Sequence, residues 1–268
     1  SSTLNNVILD MDFTVTNGTQ LFLAGTAFTI AATRTLHLVS TTSISDVVVA
    51  PSTGTTYTIN GPGTISFEGT GINNRIFTNS GSTLTLPANL AFTGTGNAQF
   101  FNFTTINNQA TIQSTTAGQS ISISAGTINN TGTLRSSGGT MTLTDLANLT
   151  GGTVQVDTGG TLTLAGPWTN AGALTVTGGT LNLGGTFSAL TTGAGTFNRA
   201  GGVGTVNLTG TFNNGGTFVF NATTGVINLA GGNIVGGTLQ KTGIGDLVMT
   251  ASSTLNNVIL DMDFTVTN

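Results

Sequence analysis

The chain has 268 residues, of which 40 are Gly, 57 Thr and 27 Asn, while charged residues make up only 5% and the formal net charge is −4. With Cys at 0, a disulfide scaffold and a thiolate metal site are excluded, and five basic residues (Arg34, Arg75, Arg135, Arg199, Lys241) cannot make a nucleic-acid footprint. A single histidine, His37, leaves little material for acid–base catalysis or zinc, so the composition speaks against most enzymes and calls for no cofactor.

Residues 1–17 read SSTLNNVILDMDFTVTN and show no basic region followed by an apolar run, so no signal peptide is visible. No stretch approaches about 18 unbroken apolar residues, so no membrane insertion by this segment is expected. Residues 252–268 repeat the first seventeen without a change, at an offset of 251. One reading is an artificially duplicated terminus. The other is a tandem array with a unit of 251 residues, in which residue 252 begins the next unit, and the inner pattern favours it.

Between the two copies, Gly-Thr-apolar-x-apolar recurs: Gly63-Thr-Ile-Ser-Phe67, Gly139-Thr-Met-Thr-Leu143, Gly160-Thr-Leu-Thr-Leu164, Gly179-Thr-Leu-Asn-Leu183 and Gly204-Thr-Val-Asn-Leu208. The first apolar residues form a series, Leu21, Ile65, Leu84, Ile121, Met141, Leu162, Leu181, Val206, Ile227 and Leu247, with steps of 20, 21, 19, 25, 21 and 20 from Ile121 onward. The wider gaps before Ile121 fit two coils each, with weaker members near Ile44 and Phe103. A second series, Leu134, Val154, Leu174, Phe197, Phe218 and Leu239, introduced by Gly132, Gly152, Gly172, Gly195, Gly216 and Gly237, advances by 20, 20, 23, 21 and 21. Each coil therefore carries at least two short strands with Gly-rich corners. In Thr161-Leu162-Thr163-Leu164 the leucines face one side and the threonines the other. Beta-branched residues suit such strands, Gly and Asn suit the corners, and no window holds a helical period. The pattern predicts an all-β fold over residues 1–268: one continuous parallel β-helix solenoid of about 21 residues per coil and about 12 coils per 251-residue unit. Twelve coils rise about 58 Å at the usual strand spacing.

Apolar-Asn-Asn occurs at Leu4, Ile72, Ile106, Ile128, Phe212 and Leu255. Such asparagines can stack and hydrogen-bond along a column, or they are turn residues that tolerate left-handed backbone; the pattern admits both. The 34-residue step from Ile72 to Ile106 does not fit and predicts an insertion or register change there.

The runs INNTGTLRSSGGTMTL, GGTVQVDTGGTLTLAG and AGALTVTGGTLNLGGTF resemble filamentous-haemagglutinin-type and autotransporter-passenger β-helices, and the large repetitive adhesins of bacterial surfaces. The resemblance covers most of residues 120–250 and the first half loosely. It implies a right-handed parallel β-helix, an extracellular, cell-surface location, and an adhesive or structural role.

Candidates for chemistry are few. Asp10 and Asp12 are expected to alternate on one strand face and could offer oxygens to a hard cation, but calcium wants 6–8 ligands, and a solvated face is favoured. His37, between Leu36 and Leu38, is expected to face solvent if those point inward. Trp168 could be a sugar-stacking platform, with a loop or corner aromatic favoured. Lys241 is the one lysine and could in principle join an isopeptide bond. Phe100-Phe101-Asn102-Phe103 reads as core, with an exposed patch there marking a contact between filaments. Thr140-x-Thr142 and Thr161-x-Thr163 begin a flat Thr array that breaks at Asn182. Asn-x-Ser/Thr sequons at Asn17, Asn102, Asn129, Asn148, Asn207 and Asn221 are expected by chance in this composition.

No catalytic, cofactor or metal residue is assigned. A solenoid ends in an unpaired coil, and here both ends carry the same ordinary coil sequence. The expected partner is therefore a neighbouring copy of the repeat, end to end, with lateral fibre bundling as a further contact. The expected role is a structural repeat unit of a bacterial surface fibre or giant adhesin. The alternative is a carbohydrate-binding or carbohydrate-cleaving β-helix, which would need a cleft with clustered carboxylates.

Overall fold

The structure, a computed structural model, describes residues 1–49, 54–71, 73–79, 81–188, 196–199 and 203–267. Ile72 and Gly195 of the repeat phrases, and Asn268 of the duplicated segment, lie outside them. The described residues form a β-solenoid without helix, in which parallel strands stack about 22 residues apart through about 11 turns.

Each turn has three faces. The first face begins with Ser2–Asn5 and runs through Thr19–Ala24, Ser45–Val49 and Asn74–Thr78 up to Asp246–Met249 and Thr265–Val266. The second begins with Ile8–Leu9, passes Ala27–Ile30, Thr56–Asn60 and Thr83–Leu86, and ends with Asn233–Val235 and Thr254–Asn256. The third begins with Phe13–Thr16, Thr35–Val39 and Thr64–Glu68 and ends with Thr238–Lys241 and Ile259–Asp261. Two long strands, Ser120–Asn130 and Thr140–Asn148, cross the corner between the first and second faces, with a register shift between Ser124 and Ile128.

The local sequence explains this shape. In each Gly-Thr phrase the Thr opens the strand and stacks on its counterpart: Thr140, Thr161, Thr180 and Thr205 form one outward row. The preceding Gly makes the corner. At Gly185, φ is +57° and a Cβ would lie 1.7 Å from the carbonyl oxygen of Gly166 one turn below, so the stacked corners tolerate no side chain there. After the Thr, alternation carries the apolar residues inward. Leu162 and Leu164 are buried while Thr161 and Thr163 face out. Columns such as Met141, Leu162, Leu181 and Val206 run up the interior. Each fully buried aliphatic side chain contributes about 1.5–3 kcal/mol.

The first half departs from the expected spacing. Its first-face column is Leu21, Val47, Ile76, Phe100 and Ile123. Ile65 lies on the third face and Leu84 on the second, so Leu21, Ile65, Leu84 and Ile121 are not one column. The turns there are wider, with 26 residues from Leu23 to Val49 and 29 from Val49 to Thr78. From Ile123 the steps fall to 20, to Leu143, and 21, to Leu164. Wide turns early in the chain therefore make about 11 turns of about 22 residues where even spacing suggested 12 of about 21.

Candidate assembly interface and surface clusters

The duplicated segment occupies both ends of the solenoid, on opposite sides of its neighbours. In the first copy, Leu4 lies under Leu23, Leu9 under Ile30 and Val15 under Leu38. In the second copy, Leu255 lies over Ile234, Leu260 over Leu239 and Val266 over Met249. The two copies fold alike: Asn6 and Asn257 both turn the first corner with positive φ, 50° and 55°. Their burial is complementary at several positions, although Ile8 and its copy Ile259 are exposed in both. Val15 is 3% exposed beneath the next turn, whereas its copy Val266 is 65% exposed; Leu9 and Leu260 are 5% and 40%. Conversely Met11 is 62% exposed, while its copy Met262 packs against the core below it. Each copy exposes apolar surface that the other covers.

Buried amides form a ladder along the corner after the second face. Asn108 Nδ2 donates to Asn130 Oδ1 at 2.8 Å, Asn130 Nδ2 to Asn148 Oδ1 at 2.8 Å, and Asn148 Nδ2 to Asn170 Oδ1 at 2.7 Å. Because each amide donates upward, the lowest member is left with an unpartnered Oδ1; Asn108 stands on Leu86. Asn129 Nδ2 donates to Asn107 Oδ1 on the outside at 2.9 Å. Both readings of the Asn-Asn phrase therefore hold, at different places: Ile106 and Ile128 introduce ladders, whereas Asn6 and Asn257 are left-handed turn residues. Asn74 lies on the first face, paired with Ser45 and Ala98, which explains the 34-residue misfit. Asn148 and Asn170 escape the Asn-Asn motif, though their spacing from Asn130 is legible. Replacing Asn130 by Ala should cost about 2–4 kcal/mol, since it orphans buried amide groups on two neighbours, while Asn129→Ala should cost under about 1. Thermal melts of the two variants would test this, and equal shifts would contradict the inside–outside assignment.

Arg34, His37, Arg75 and Arg135 each meet a carboxylate on a neighbouring turn. Arg75 grips the fully buried Asp46 through Nε and Nη2, both at 2.7 Å, and Gln20 donates to the same carboxylate at 3.0 Å. The hydrogen bonds to Asp46 raise the Arg75 pKa against the opposing effect of burial. Its guanidinium sits over the stacked rings of Phe77 and Phe101, 4.8 Å apart. Phe101 thus belongs to a row with Phe22, Val48 and Phe77 on the side of the strand away from the core, where Val48 and Phe77 are themselves buried, while Phe100 and Phe103 are core.

On the third face Asp157 accepts from Arg135, Gln155 and Thr177. Burial works to raise its pKa, but these bonds and the Arg135 charge outweigh it and hold the carboxyl below the usual range. Glu68 behaves alike: burial is outweighed by hydrogen bonds from Ser66 and His37 and by the His37 charge. His37 faces outward as expected, with Leu36 and Leu38 inward, but it is half-buried against Glu68 at 2.6 Å. Depressed folded-state values mean that the unfolded chain binds protons first. The resulting stability is complete above the ordinary carboxylate range of about 4 and is lost as pH falls through it. The melting temperature should therefore decline on acidification below about pH 5. Asp157→Asn should flatten that decline; an unchanged pH slope would remove Asp157 from the account.

The remaining candidates are placed as follows. Asp10 and Asp12 lie between strands, not on one strand face; Asp10 meets Arg34 at 3.3 Å and Asp12 accepts the backbone N–H of Thr35 at 2.9 Å. Among the described residues no group of three His, Asp or Glu gathers as metal ligands do. Trp168 is not a sugar platform; it is the favoured loop or corner aromatic, in the connection between Thr161–Ala165 and Thr169–Asn170, but turned inward. It is 3% exposed, stacks on Phe187 at 4.3 Å and donates its indole N–H to the Gly184 carbonyl at 2.9 Å. It starts an aromatic column with Phe187 and Phe212. Lys241 pairs with Asp246 at 2.6 Å on the surface. The Thr row that includes Thr142 and Thr163 changes to Asn182, Asn207 and Asn228, whose amides bond turn to turn, while the row of Thr140 and Thr161 continues through Thr180 and Thr205. Asn148, a sequon residue, is buried inside the amide ladder.

Arg199 was not singled out from the sequence. It takes an inward position above Val176 and is 5% exposed. Its guanidinium donates to the carbonyls of Val203, Gly204, Thr224 and Val226, and burial lowers its pKa. Its even spacing after Phe197 was the available signal. An open groove of about 420 Å³ on the second face is lined by Asp145, Trp168, Thr186 and Asn213, among others, and Asp145 is the one carboxylate in its lining.

No family model matches the sequence, no curated protein matches it, and no solved structure matches the fold.

Proposed function

We propose that this chain is a structural repeat of an extracellular bacterial surface fibre or giant repetitive adhesin, built as a continuous β-solenoid. The observation that carries the reading is the duplicated rung: the same seventeen residues seat on the last turn and under the second, with complementary exposed apolar surface. A rung of that kind joins one copy of the unit to the next. The resemblance of residues 120–250 to bacterial surface β-helices supports the location and the adhesive role. Low charge and turn-to-turn pairing of Arg34, His37, Arg75 and Arg135 with carboxylates favour a long stack, since like charges directly opposite on neighbouring strands destabilise.

Immunogold labelling of intact cells of the source with antibody against this chain tests the reading. Label on surface threads is expected, and label confined to the cell interior would overturn it. Head-to-tail association of separate chains is checked by sedimentation of a variant lacking residues 252–268, whose last turn then offers the next chain's residues 1–17 the strands on which residues 252–268 sit. Association is expected, and monomers alone would sink the non-covalent form of the fibre.

A further inference from the structure

Resting on the fibre reading, we infer that successive copies of the unit are turned about the fibre axis by one face, a third of a turn. The same 17-residue rung would end one copy and begin the next.

The two environments of the duplicated segment determine this. Its first strand lies on the first face as Ser2–Asn5, where it carries Thr19–Ala24 above it. The equivalent strand, Thr254–Asn256, lies on the second face, above Asn233–Val235. Its second strand moves likewise from the second face, as Ile8–Leu9, to the third, as Ile259–Asp261. Its third moves from the third face, as Phe13–Thr16, to the first, as Thr265–Val266. All three strands shift by one face in the same sense. Between equivalent strands the chain makes about 11 turns and then one face more.

A whole number of turns per unit is therefore unnecessary for continuity. The ladder requires only that a strand follow a strand of matching register, and three similar faces permit entry at any of them. At the joint the interior column would read Ile234, Leu255 (the equivalent of Leu4), then Leu23 of the next copy. The neighbouring columns would read Leu239, Leu260, Ile30 and Met249, Val266, Leu38. Every member is apolar, and the exposed Leu260 and Val266 gain the cover that Leu9 and Val15 already have.

The partner is thus a second copy of this chain, in one register. Any lateral feature of a copy then recurs a third of a turn round on the next. At about 4.8 Å per turn, one copy advances about 54 Å and the orientation recurs after three copies, about 163 Å. Lateral contacts would then bundle fibres in three directions, not stack them into a flat ribbon.

The test is electron cryo-microscopy of a chain made of three consecutive 251-residue copies closed by residues 1–17, with the strands traced across each joint. The expected result is an unbroken ladder, with the strand equivalent to Ser2–Asn5 moving to the adjacent face at each joint. A continuous thread in which that strand stays on one face overturns the inference and leaves the fibre reading intact. Separate bodies divided at the joints overturn both. Because the chain has Cys at 0, a disulfide trap supplies a second readout. In a two-copy chain, Val235→Cys and Asn256→Cys, paired neighbours across the joint, should crosslink as readily as Asn5→Cys and Ala24→Cys do within one copy. Crosslinking in the single copy without crosslinking at the joint rejects the proposed register.

Discussion

Leu162→Asp should abolish cooperative folding of the central turns, whereas Thr163→Asp, one residue away, should leave them intact. Leu162 is fully buried in a column between Met141 and Leu181. Its replacement removes the transfer free energy of a leucine, leaves a cavity, and places a carboxyl where no donor reaches it. Losing the leucine costs about 2–5 kcal/mol, and the stranded polar group adds at least about 2 more. Because the turns stack, the damage passes to the neighbours on both sides. Thr163 faces outward and accepts a hydrogen bond from Asn182 Nδ2 at 3.1 Å, a bond that an aspartate oxygen can also accept. Its replacement should cost under about 1 kcal/mol. Thermal melts by circular dichroism, paired with limited proteolysis, would compare the two. Equal destabilisation would refute the assignment of inside and outside on this strand.

Arg75→Met should destabilise the wide early turns by about 3–5 kcal/mol, because it leaves Asp46 as a buried charge without its cation. Asp46 is fully buried, and Gln20 would remain beside it among the described polar side chains that now hold it. The double variant Asp46→Asn with Arg75→Met should recover much of the loss, since no charge is then stranded. Denaturant unfolding of the wild type, the single variant and the double variant gives the comparison. A double variant no more stable than Arg75→Met alone would show that the stranded Asp46 charge is not the source of the loss.

The solenoid was legible in the sequence because a strand's facing depends on local alternation. Each Gly-Thr-apolar-x-apolar phrase states its own corner, its outward Thr and its inward pair, and from Ile121 onward the phrases recur at nearly constant spacing. The duplicated segment, too, needed no coordinates to be found. What lay beyond reach was the third strand of each turn and the number of turns. Corner loops vary in length without changing the alternation, so a 29-residue turn from Val49 to Thr78 looks in sequence like one and a half ordinary ones.

Trp168 and Arg199 mark the same limit for single residues. Sequence leaves Trp168 at a loop or corner and gives Arg199 no place of its own, but both turn inward and donate to nearby backbone carbonyls. Likewise, the Asp46–Arg75 pair spans 29 residues, and only the tertiary stack makes them neighbours. The sequence by itself thus determined the strand chemistry, the solenoid class and the duplicated rung, all of which rest on short-range patterns. Only the tertiary structure decided which strands share a face, which charges meet, and by what fraction of a turn the second copy of the rung is displaced. Those depend on the summed lengths of every corner between them.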